Sequence, residues 1–425
     1  MSQVESNIMD VLKQQFSLLE KKMNGSASSS DFKSRETAFN NILESGLPGR
    51  KNEEYRYTPL SRLLEKEMAD FDKNPTTSVN PDMIPSLGDI TIVFVNGEFN
   101  SNLSNLKNKD GLSIEIASLQ QFPETNKKSD DTFSKLNKAL ASEGVNINIK
   151  KNQVVEENIS IVHIIDSSKS KVMATSRHEV NLEEGTQGYI TEFFIGDGEY
   201  SSFTNTALHI NMAENSILTH YKVGFDSESD LRIDNTTCSQ HDHSVLHTFN
   251  VNFGGKAIRN NLNISLEGEY CETNMDGLYL PAANGLIDNH TTIDHKYPNS
   301  NSNELYKGIM GDESTGVFNG KVYVREGAQK TNAFQSNKNI LLSDTATINT
   351  KPQLEIWADD VQCTHGCTTG QIDKEQLFYL RARGLDEQMA RKLLLKAFAE
   401  EIVLKIKDEK LKELIEAELD NQLGE

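Results

Sequence analysis

The sequence has little cysteine. Its 425 residues include only four, which are Cys238, Cys271, Cys363 and Cys367. Four cysteines are too few to form a disulfide framework in a chain of this length. The first residues, MSQVESNIMDVLKQQF, lack the basic start and the apolar stretch that a signal peptide needs. We therefore expect free thiols and a location in the reducing cytoplasm.

Two further absences concern membranes and nucleic acids. No run approaches the ~18 consecutive apolar residues needed to cross a bilayer, so no membrane span is predicted. Basic residues number 43 against 63 acidic ones, and the net charge is −20. This balance argues against a nucleic-acid-binding surface and against a polybasic membrane contact. The acidic charge favours solubility but identifies no partner.

The common catalytic signatures are also missing. The sequence contains no P-loop, no dinucleotide-binding G-x-G-x-x-G after a strand, no G-x-S-x-G and no H-E-x-x-H. Their absence favours a scaffold over an enzyme, with no residue assigned to catalysis.

The first part of the chain, 1–85, has the apolar spacing of a small helical region. A first stripe runs from Val4 to Met23, and the sequence GSASSSD at 25–31 predicts a linker. Further helices are predicted from Phe32 and over about 60–71.

The middle of the chain, 86–365, is predicted to be all-β, because short alternating runs are separated by Gly, Asn, Asp and Ser clusters. A sandwich, a barrel and a parallel β-helix all suit about 270 residues of this kind. The runs are short, Asn is frequent at their ends and hairpin-type turns are scarce, which favours the β-helix. The predicted runs are 90–99, 159–165, 189–196, 216–225, 244–253, 261–268, 316–324, 339–343 and 353–361.

The last part, 366–425, is predicted to be helical again. Asp373 can cap a helix that Gly384 ends. An apolar stripe follows at helical spacing, and it either packs on the β region or contacts a partner. Its members are Leu385, Met389, Leu393, Ala397, Phe398 and Ile402.

The sharpest local feature is the segment Cys363-Thr364-His365-Gly366-Cys367. On an extended chain, alternate residues point to one face, so two thiols and an imidazole would lie together. Such donors suit zinc, ferrous iron or an iron–sulfur cluster. A closed metal site normally has four ligands, so another would come from elsewhere in the chain or from a partner. The alternative is two small buried cysteines and a core histidine.

Two other histidine clusters are less specific. His241, His243 and His247 share strand parity and could share a face, but we favour a hydrogen-bonded polar surface. The segment 288–295 places Asp beside His twice, without a nucleophile or an oxyanion site. A hydrogen-bond network is the favoured interpretation there.

Several long segments resemble the SufB/SufD family of iron–sulfur cluster assembly proteins. They are GVFNGKVYVREGAQKTNAFQSNKNILLS (316–343), TKPQLEIWADDVQCTHGCTTGQIDKEQLFYLRARGL (350–385), GLPGRKNEEYRYTPL (46–60) and DNHTTIDHKYPNSNSNELYKGIM (288–310). The stretch ADDVQCTHG is most similar to the SufD branch.

The resemblance implies a right-handed parallel β-helix between N- and C-terminal helical parts. It also implies a subunit that acts with a SufB-type paralogue and a SufC-type ATPase in cluster assembly and iron acquisition. Cys363 and His365 would face the paralogue, where transient iron or a cluster is built. Cys367 stands where many relatives have Ala, which puts its ligand role in question.

In the same family, the ATPase docks on the C-terminal helices, which correspond to about 371–420. The residues expected to carry this contact are Phe378, Leu385, Met389, Leu393 and Phe398. Flavin binding belongs to assembled complexes of the family, and a homodimer of the isolated chain stays open.

Two other functions compete with this one. A β-helix enzyme acting on polysaccharide would work outside the cell, and the helical C-terminal part has no place in it. A zinc-binding interaction module would use the segment around Cys363 and His365, with metal bound tightly to the isolated chain.

Overall fold

The protein is a parallel β-solenoid of about eight turns with helices at both ends of the chain. This computed structural model describes residues 8–22, 30–68, 71–72, 75–88, 90–107, 110–118 and 131–424. The mainly β fold predicted from the sequence is therefore confirmed. The predicted linker at 25–31 and the ends of the first stripe, Val4 and Met23, lie wholly or largely outside the described residues.

Four helices come before or interrupt the first coils. They are α1 (Ile8–Lys22), α2 (Ser30–Ser45), α3 (Leu60–Glu67) and α4 (Thr132–Leu140). Asp131 caps α4 by accepting hydrogen bonds from the backbone N–H groups of Phe133 and Ser134. The helices predicted in 1–85 are present, although α3 ends four residues earlier than the predicted limit at 71.

The described residues contain nineteen strands. They are β1 (Ile90–Val95), β2 (Glu98–Phe99), β3 (Leu112–Ser118), β4 (Glu143–Ile149), β5 (Val154–Asp166), β6 (Val172–Leu182), β7 (Gln187–Asp197), β8 (Ser202–Met212), β9 (Ile217–Asp226), β10 (Asp230–Gln240), β11 (Val245–Gly254), β12 (Ala257–Leu266), β13 (Glu272–Pro281), β14 (Leu286–His295), β15 (Asn301–Met310), β16 (Thr315–Val324), β17 (Asn332–Leu341), β18 (Thr347–Ile356) and β19 (Gln362–Gly370).

The strands form two sheets, and the chain passes from one to the other at each corner. Sheet A runs in the order β19-β17-β15-β13-β11-β9-β7-β5-β1-β2, and sheet B in the order β18-β16-β14-β12-β10-β8-β6-β4-β3. Each strand from β4 to β17 therefore pairs in parallel with the strand two places later. Coil length varies from 26 residues, between Leu231 and Ala257, to 33 residues, between Asn146 and Glu179. This variation explains why the sequence shows no fixed repeat.

The two ends of the solenoid differ. At the first coil the pairing reverses, because β2 runs antiparallel to β1 and β3 runs antiparallel to β4. At the other end, β18 and β19 form a terminal coil whose outer edges have no further strand among the described residues. One end thus finishes in antiparallel strands, and the other finishes in an open coil whose strands pair in parallel with the coil before it.

Apolar side chains fill the space between the two sheets. This lumen core includes Ile92, Ile161, Leu218, Ile264 and Ile293, all almost fully buried. Alternate residues of each strand point inward, which is the period that the sequence runs predicted. Burial of each such side chain contributes roughly 1.5–3 kcal/mol.

Helices cover the outer faces of the sheets. The N-terminal helices pack on sheet B, where Leu64 and Phe133 share a cluster with Phe203, Leu231 and Ile233. The C-terminal helices are α5 (Lys374–Ala382), α6 (Glu387–Val403) and α7 (Glu409–Gln422). Of these, α6 and α7 pack on sheet A in the same way. No helix in the described part of the chain is both long and apolar enough to span a bilayer.

The start of the C-terminal helices agrees with the sequence. Asp373 accepts hydrogen bonds from the N–H groups of Glu375 and Gln376, which confirms it as the cap of α5. Gly384 follows this helix with φ +98°, a conformation that favours glycine. The division of the chain into 1–85, 86–365 and 366–425 stays a prediction. Strand β19 runs across the second of these limits.

Buried histidines of the lumen predict a loss of stability in acid. His178 lies inside the first coils against the rings of Phe94 and His163. Its Nδ1 accepts the N–H of Val145 at 3.1 Å. Burial lowers the pKa of His178 to about 3, from an ordinary value of 6.5. The unfolded chain therefore binds a proton below pH 6.5 that the folded chain does not bind.

We expect the free energy of unfolding to fall as the pH decreases from about 6.5 toward 3, in part because of this histidine. The variant His178→Gln should reduce the slope by about 1.4 kcal/mol per pH unit within this window. Chemical denaturation at several pH values measures it. The control is His241→Gln, in an exposed turn, which should keep the parent slope. An unchanged slope in His178→Gln would contradict the prediction.

Candidate functional site

The terminal coil is the most exposed part of the solenoid. Residues of β11 are mostly buried, whereas those of β19 are exposed except for Cys363, which is half-buried. No following strand covers this edge among the described residues, so its backbone N–H and C=O groups are available for pairing. An edge of this kind is a surface to which another β-structure can add.

The three predicted site residues lie on one face of β19. Cys363, His365 and Cys367 pair in register with Ala333, Gln335 and Asn337 of β17. Those β17 residues are buried in the lumen, while the intervening Phe334 is exposed. The three side chains therefore lie on the lumen side of β19, in line with the buried residues of β17. The shared face expected from the sequence is present.

Cys363 and its neighbours differ in their surroundings. Cys363 packs against the lumen core, and burial raises the pKa of its thiol. His365 and Cys367 are exposed, because no further coil lies over them in the described part of the chain. A Cβ built on Gly366 would meet no atom within 4 Å, so this end of the strand is open to an approaching molecule.

A metal ion needs more than these residues offer together. Alternate residues on a strand lie about 6.6 Å apart, whereas zinc binds S and N donors at about 2.0–2.3 Å. Among the residues that the structure describes, no three His, Cys, Asp or Glu side chains are grouped closely enough to hold a metal. A complete ligand set at Cys363 and His365 would therefore need donors from another molecule. Their metal or cluster role stays a prediction.

A groove of about 370 Å³ connects the terminal coil with the C-terminal helices. Its lining includes Asn303, Phe334, His365 and Lys405. The Lys405 ammonium lies between α6 and α7 and pairs with Asp276 of β13 at 2.6 Å. The edge strand and the segment between α6 and α7 thus line the same groove.

The apolar stripe and the predicted docking residues of the C-terminal helices divide into two faces. Phe378, Met389 and Leu393 are 74%, 51% and 46% exposed, and Leu385 is half-buried. Phe398 is half-buried near sheet A, where the Lys307 ammonium lies 4.3 Å from the centre of its ring. Exposed apolar side chains in a group are typical of a protein contact surface. Whether these residues dock a partner stays a prediction.

The opposite face of α6 holds it on the solenoid. Leu395, Ala399 and Ile402 belong to the apolar cluster on sheet A, together with Leu278 and Leu280 of β13. The sequence stripe had joined Ile402 to the exposed residues. The structure separates them, because a straight helix turns the two groups to different sides.

The Asp–His segment 288–295 is a buried network, as the sequence indicated. Asp288 is fully buried, pairs with Arg259 at 2.7 Å and with His290 at 3.0 Å, and accepts the hydroxyl of Thr58. Burial alone would raise the pKa of Asp288, but His290 and Arg259 hold it below its ordinary value. This network fastens the N-terminal segment to sheet B.

Glu54 belongs to the same fastening. It pairs with His290 at 3.4 Å and with Lys321 at 2.5 Å. The hydrogen bond to His290 and the Lys321 charge lower its pKa to about 2 although burial opposes the shift. The sequence did not reveal this contact, because His290 and Lys321 lie more than 200 residues after Glu54 in the chain.

The histidines 241, 243 and 247 do not share a face, so the possibility that their spacing raised is not realised. His241 and His243 lie in an exposed turn between β10 and β11, and His243 has φ +56°. His247 lies within β11, half-buried beside Asn274 at 3.3 Å. Strand parity does not apply across a turn.

Comparison with known proteins gives consistent matches over nearly the whole chain. Residues 163–398 match the family described as "SUF system FeS cluster assembly, SufBD core domain", and residues 5–161 match "SufBD protein N-terminal region". The iron–sulfur cluster assembly protein SufD of Escherichia coli is 31% identical over 90% of each chain. An iron–sulfur cluster assembly SufBD family protein of Synechocystis is 32% identical over 84% of this chain and 83% of its own.

The four thiols should differ in reactivity. Cys367 is exposed, Cys363 is half-buried with a raised pKa, and Cys238 and Cys271 are buried with pKa values raised by burial. Since the thiolate is the reactive form, we expect alkylation by iodoacetamide near pH 8 in the order Cys367, then Cys363, then the buried pair. Peptide mass spectrometry over time measures the order, with denatured protein as the control. Labelling of Cys238 as fast as Cys367 would contradict it.

Proposed function

Because the chain belongs to the SufBD family, we propose that it is a non-catalytic scaffold subunit of the SUF system. In this proposal it acts in the cytoplasm with a SufB-type paralogue and a SufC-type ATPase in de novo cluster assembly and iron acquisition. The observation that carries the proposal is the open terminal coil, which presents Cys363 and His365 on an unpaired strand edge.

The open edge supports a contact with another β-solenoid. Backbone groups of β18 and β19 would be satisfied by strands of the paralogue, as in other cases of strand addition. The same edges can pair with a second copy of this chain when the paralogue is absent. A joint at this place would cover the exposed His365 and Cys367 and bring donors from the second subunit to them.

Iron or a nascent cluster is the cargo of this joint. Thiolate and imidazole are suitable donors for iron and for iron–sulfur clusters. Cys363 and His365 supply one of each, and the paralogue would complete the set. A site that is incomplete in each subunit releases its cargo when the subunits move apart. Such a division of ligands suits transient assembly better than permanent storage.

The C-terminal helices supply the proposed contact with the ATPase. Phe378, Leu385, Met389 and Leu393 form the outer side of this surface, and Phe398 lies behind them. The chain has no P-loop, so nucleotide hydrolysis would take place in the partner. Movement of the ATPase would then reach the solenoid through α6 and α7.

Polar contacts support such transmission. The Lys307 ammonium of β15 donates to the Phe398 carbonyl at 2.7 Å and pairs with Glu401 at 2.5 Å. Lys405 pairs with Asp276 beside the groove that reaches His365. A shift of α6 would therefore pull on β13 and β15, two strands of the sheet that ends in β19.

The polysaccharide-enzyme alternative loses its support, since both family matches are to cluster assembly proteins. The zinc-module alternative is decided by metal analysis of the isolated chain. Stoichiometric, tightly bound zinc in the monomer would favour it over a site shared between subunits.

Loss of the site residues should stop cluster assembly. We expect His365→Ala and Cys363→Ala to lower the activity of a cluster-dependent enzyme by about tenfold or more in a cell that depends on this chain, because each removes a donor at the joint. The control is His243→Ala, in an exposed turn on the solenoid. Full activity with His365→Ala, at equal protein level, would refute the site.

Loss of the exposed helix face should release the ATPase. We expect the double variant Met389→Glu and Leu393→Glu to weaken copurification with a tagged SufC-type ATPase by about tenfold or more, because charges buried in an apolar contact are unfavourable. Tyr270→Glu, at an exposed solenoid corner, is the matched control. Equal recovery of the ATPase with both variants would exclude this surface as the docking site.

A further inference from the structure

A row of polar side chains leads from His365 into the solenoid. Glu304 of β15, Gln335 of β17 and His365 of β19 occupy the same register position on three neighbouring strands. Neighbouring strands are about 4.8 Å apart, so side chains on one face at one register position stack on each other. Glu304 and Gln335 are almost fully buried, at 5% and 3% exposure, and His365 is the exposed end of the row.

The amide of Gln335 is held in one direction. Its Nε2 donates to Oε2 of Glu304 at 2.7 Å. Gly320 of β16 leaves room for this amide, because a Cβ at that position would collide with Nε2. The same hydrogen bond leaves Oε1 of Gln335 buried without a hydrogen-bond partner. A buried acceptor without a donor is unfavourable by about 1–3 kcal/mol, so its persistence calls for an explanation.

His365 is the neighbour that can supply the missing donor. A histidine that binds a metal through one ring nitrogen commonly donates the N–H of the other to a carbonyl or a carboxylate, which fixes the ring. Oε1 of Gln335 is such a carbonyl oxygen, one strand away. When another subunit covers the terminal coil, water leaves the edge and the ring of His365 can fold onto this acceptor.

We propose that Gln335 is a positioning residue for His365: its Oε1 accepts the ring N–H and directs the other ring nitrogen toward the cargo, while Glu304 fixes the amide. The inference rests on the proposed role of His365 at the joint. Burial raises the pKa of Glu304 to about 7, so both its protonated and ionised forms occur near neutral pH. An oxygen of either form accepts the Gln335 amide N–H, which leaves Oε1 as the unpaired atom of this amide.

The test measures Co²⁺ binding to the complex of full-length chain, SufB-type paralogue and SufC-type ATPase, by the absorption of the bound ion. We expect Gln335→Met, similar in volume but without the acceptor, to weaken Co²⁺ binding about 10- to 100-fold. In a double-mutant cycle it should add nothing to the effect of His365→Ala, because both changes remove one interaction.

Controls separate this inference from the proposed function. Ser336→Ala, the next residue of β17 on the outward face, is the matched control and should leave Co²⁺ binding unchanged. Thermal unfolding of each isolated chain shows whether the variant folds. If Gln335→Met does not fold, Gln335→Asn replaces it, because its shorter side chain moves the amide oxygen away from β19.

Two results would overturn the inference while the site itself survives. The first is a folded Gln335 variant that binds Co²⁺ like the parent, while His365→Ala weakens Co²⁺ binding. The second is a double variant whose loss of Co²⁺ affinity equals the sum of the two single losses. Parent-like binding by His365→Ala would instead overturn the proposed site, and this inference with it.

Discussion

Parallel pairing between successive coils is the constraint on which the rest of the structure depends. Each strand forms backbone hydrogen bonds with a strand of the coil before it and with a strand of the coil after it. The apolar lumen keeps the coils in register, since a slip by one residue would turn Ile264 or Ile293 outward. This arrangement pairs each coil on both sides except at the two ends of the solenoid, and the terminal coil carries Cys363 and His365. The proposed functional surface is therefore a direct result of how the fold ends.

The helical layers make the two faces of the solenoid different. On sheet B, the network around Asp288 ties the segment 53–58 to several coils at once. On sheet A, α6 and α7 are held by an apolar cluster and by the lysines Lys307 and Lys405. The N-terminal segment is thus fixed to several strands of sheet B, while the C-terminal helices keep exposed apolar side chains on their outer side, where the proposed ATPase contact would lie. Both layers leave the terminal edge uncovered.

The sequence predicted the parts of the fold that depend on local patterns. Apolar alternation located strands such as β1, β7 and β11, and the Asp373 and Gly384 signals located the limits of α5. It missed β8 and β10, because their buried positions include polar residues such as Asn205 and Asp234. The side-chain amide of Asn205 donates to the carbonyl of Phe133, 72 residues away, and no local pattern reveals such a partner.

The candidate site shows the same limit. Alternation along the chain placed Cys363, His365 and Cys367 on one face, because that inference needs only a strand. Whether the strand was central or at an edge could not be inferred, since this depends on where the stack of coils stops. Gln335 and Glu304 escaped notice for a related reason: they lie 30 and 61 positions before His365, and only the register joins them.

The unequal ends of the solenoid limit what can be built from it. Head-to-tail stacking of identical units produces filaments, whereas a contact through one like surface on each unit closes on itself. Here the first coil ends in the antiparallel strands β2 and β3, whereas the other end finishes in β18 and β19, which pair in parallel. Two such molecules joined through β18 and β19 would have only the two-residue strand β2 and the seven-residue strand β3 at their outer ends. The unlike ends thereby favour a closed pair over head-to-tail stacking, which would set a parallel coil against antiparallel strands.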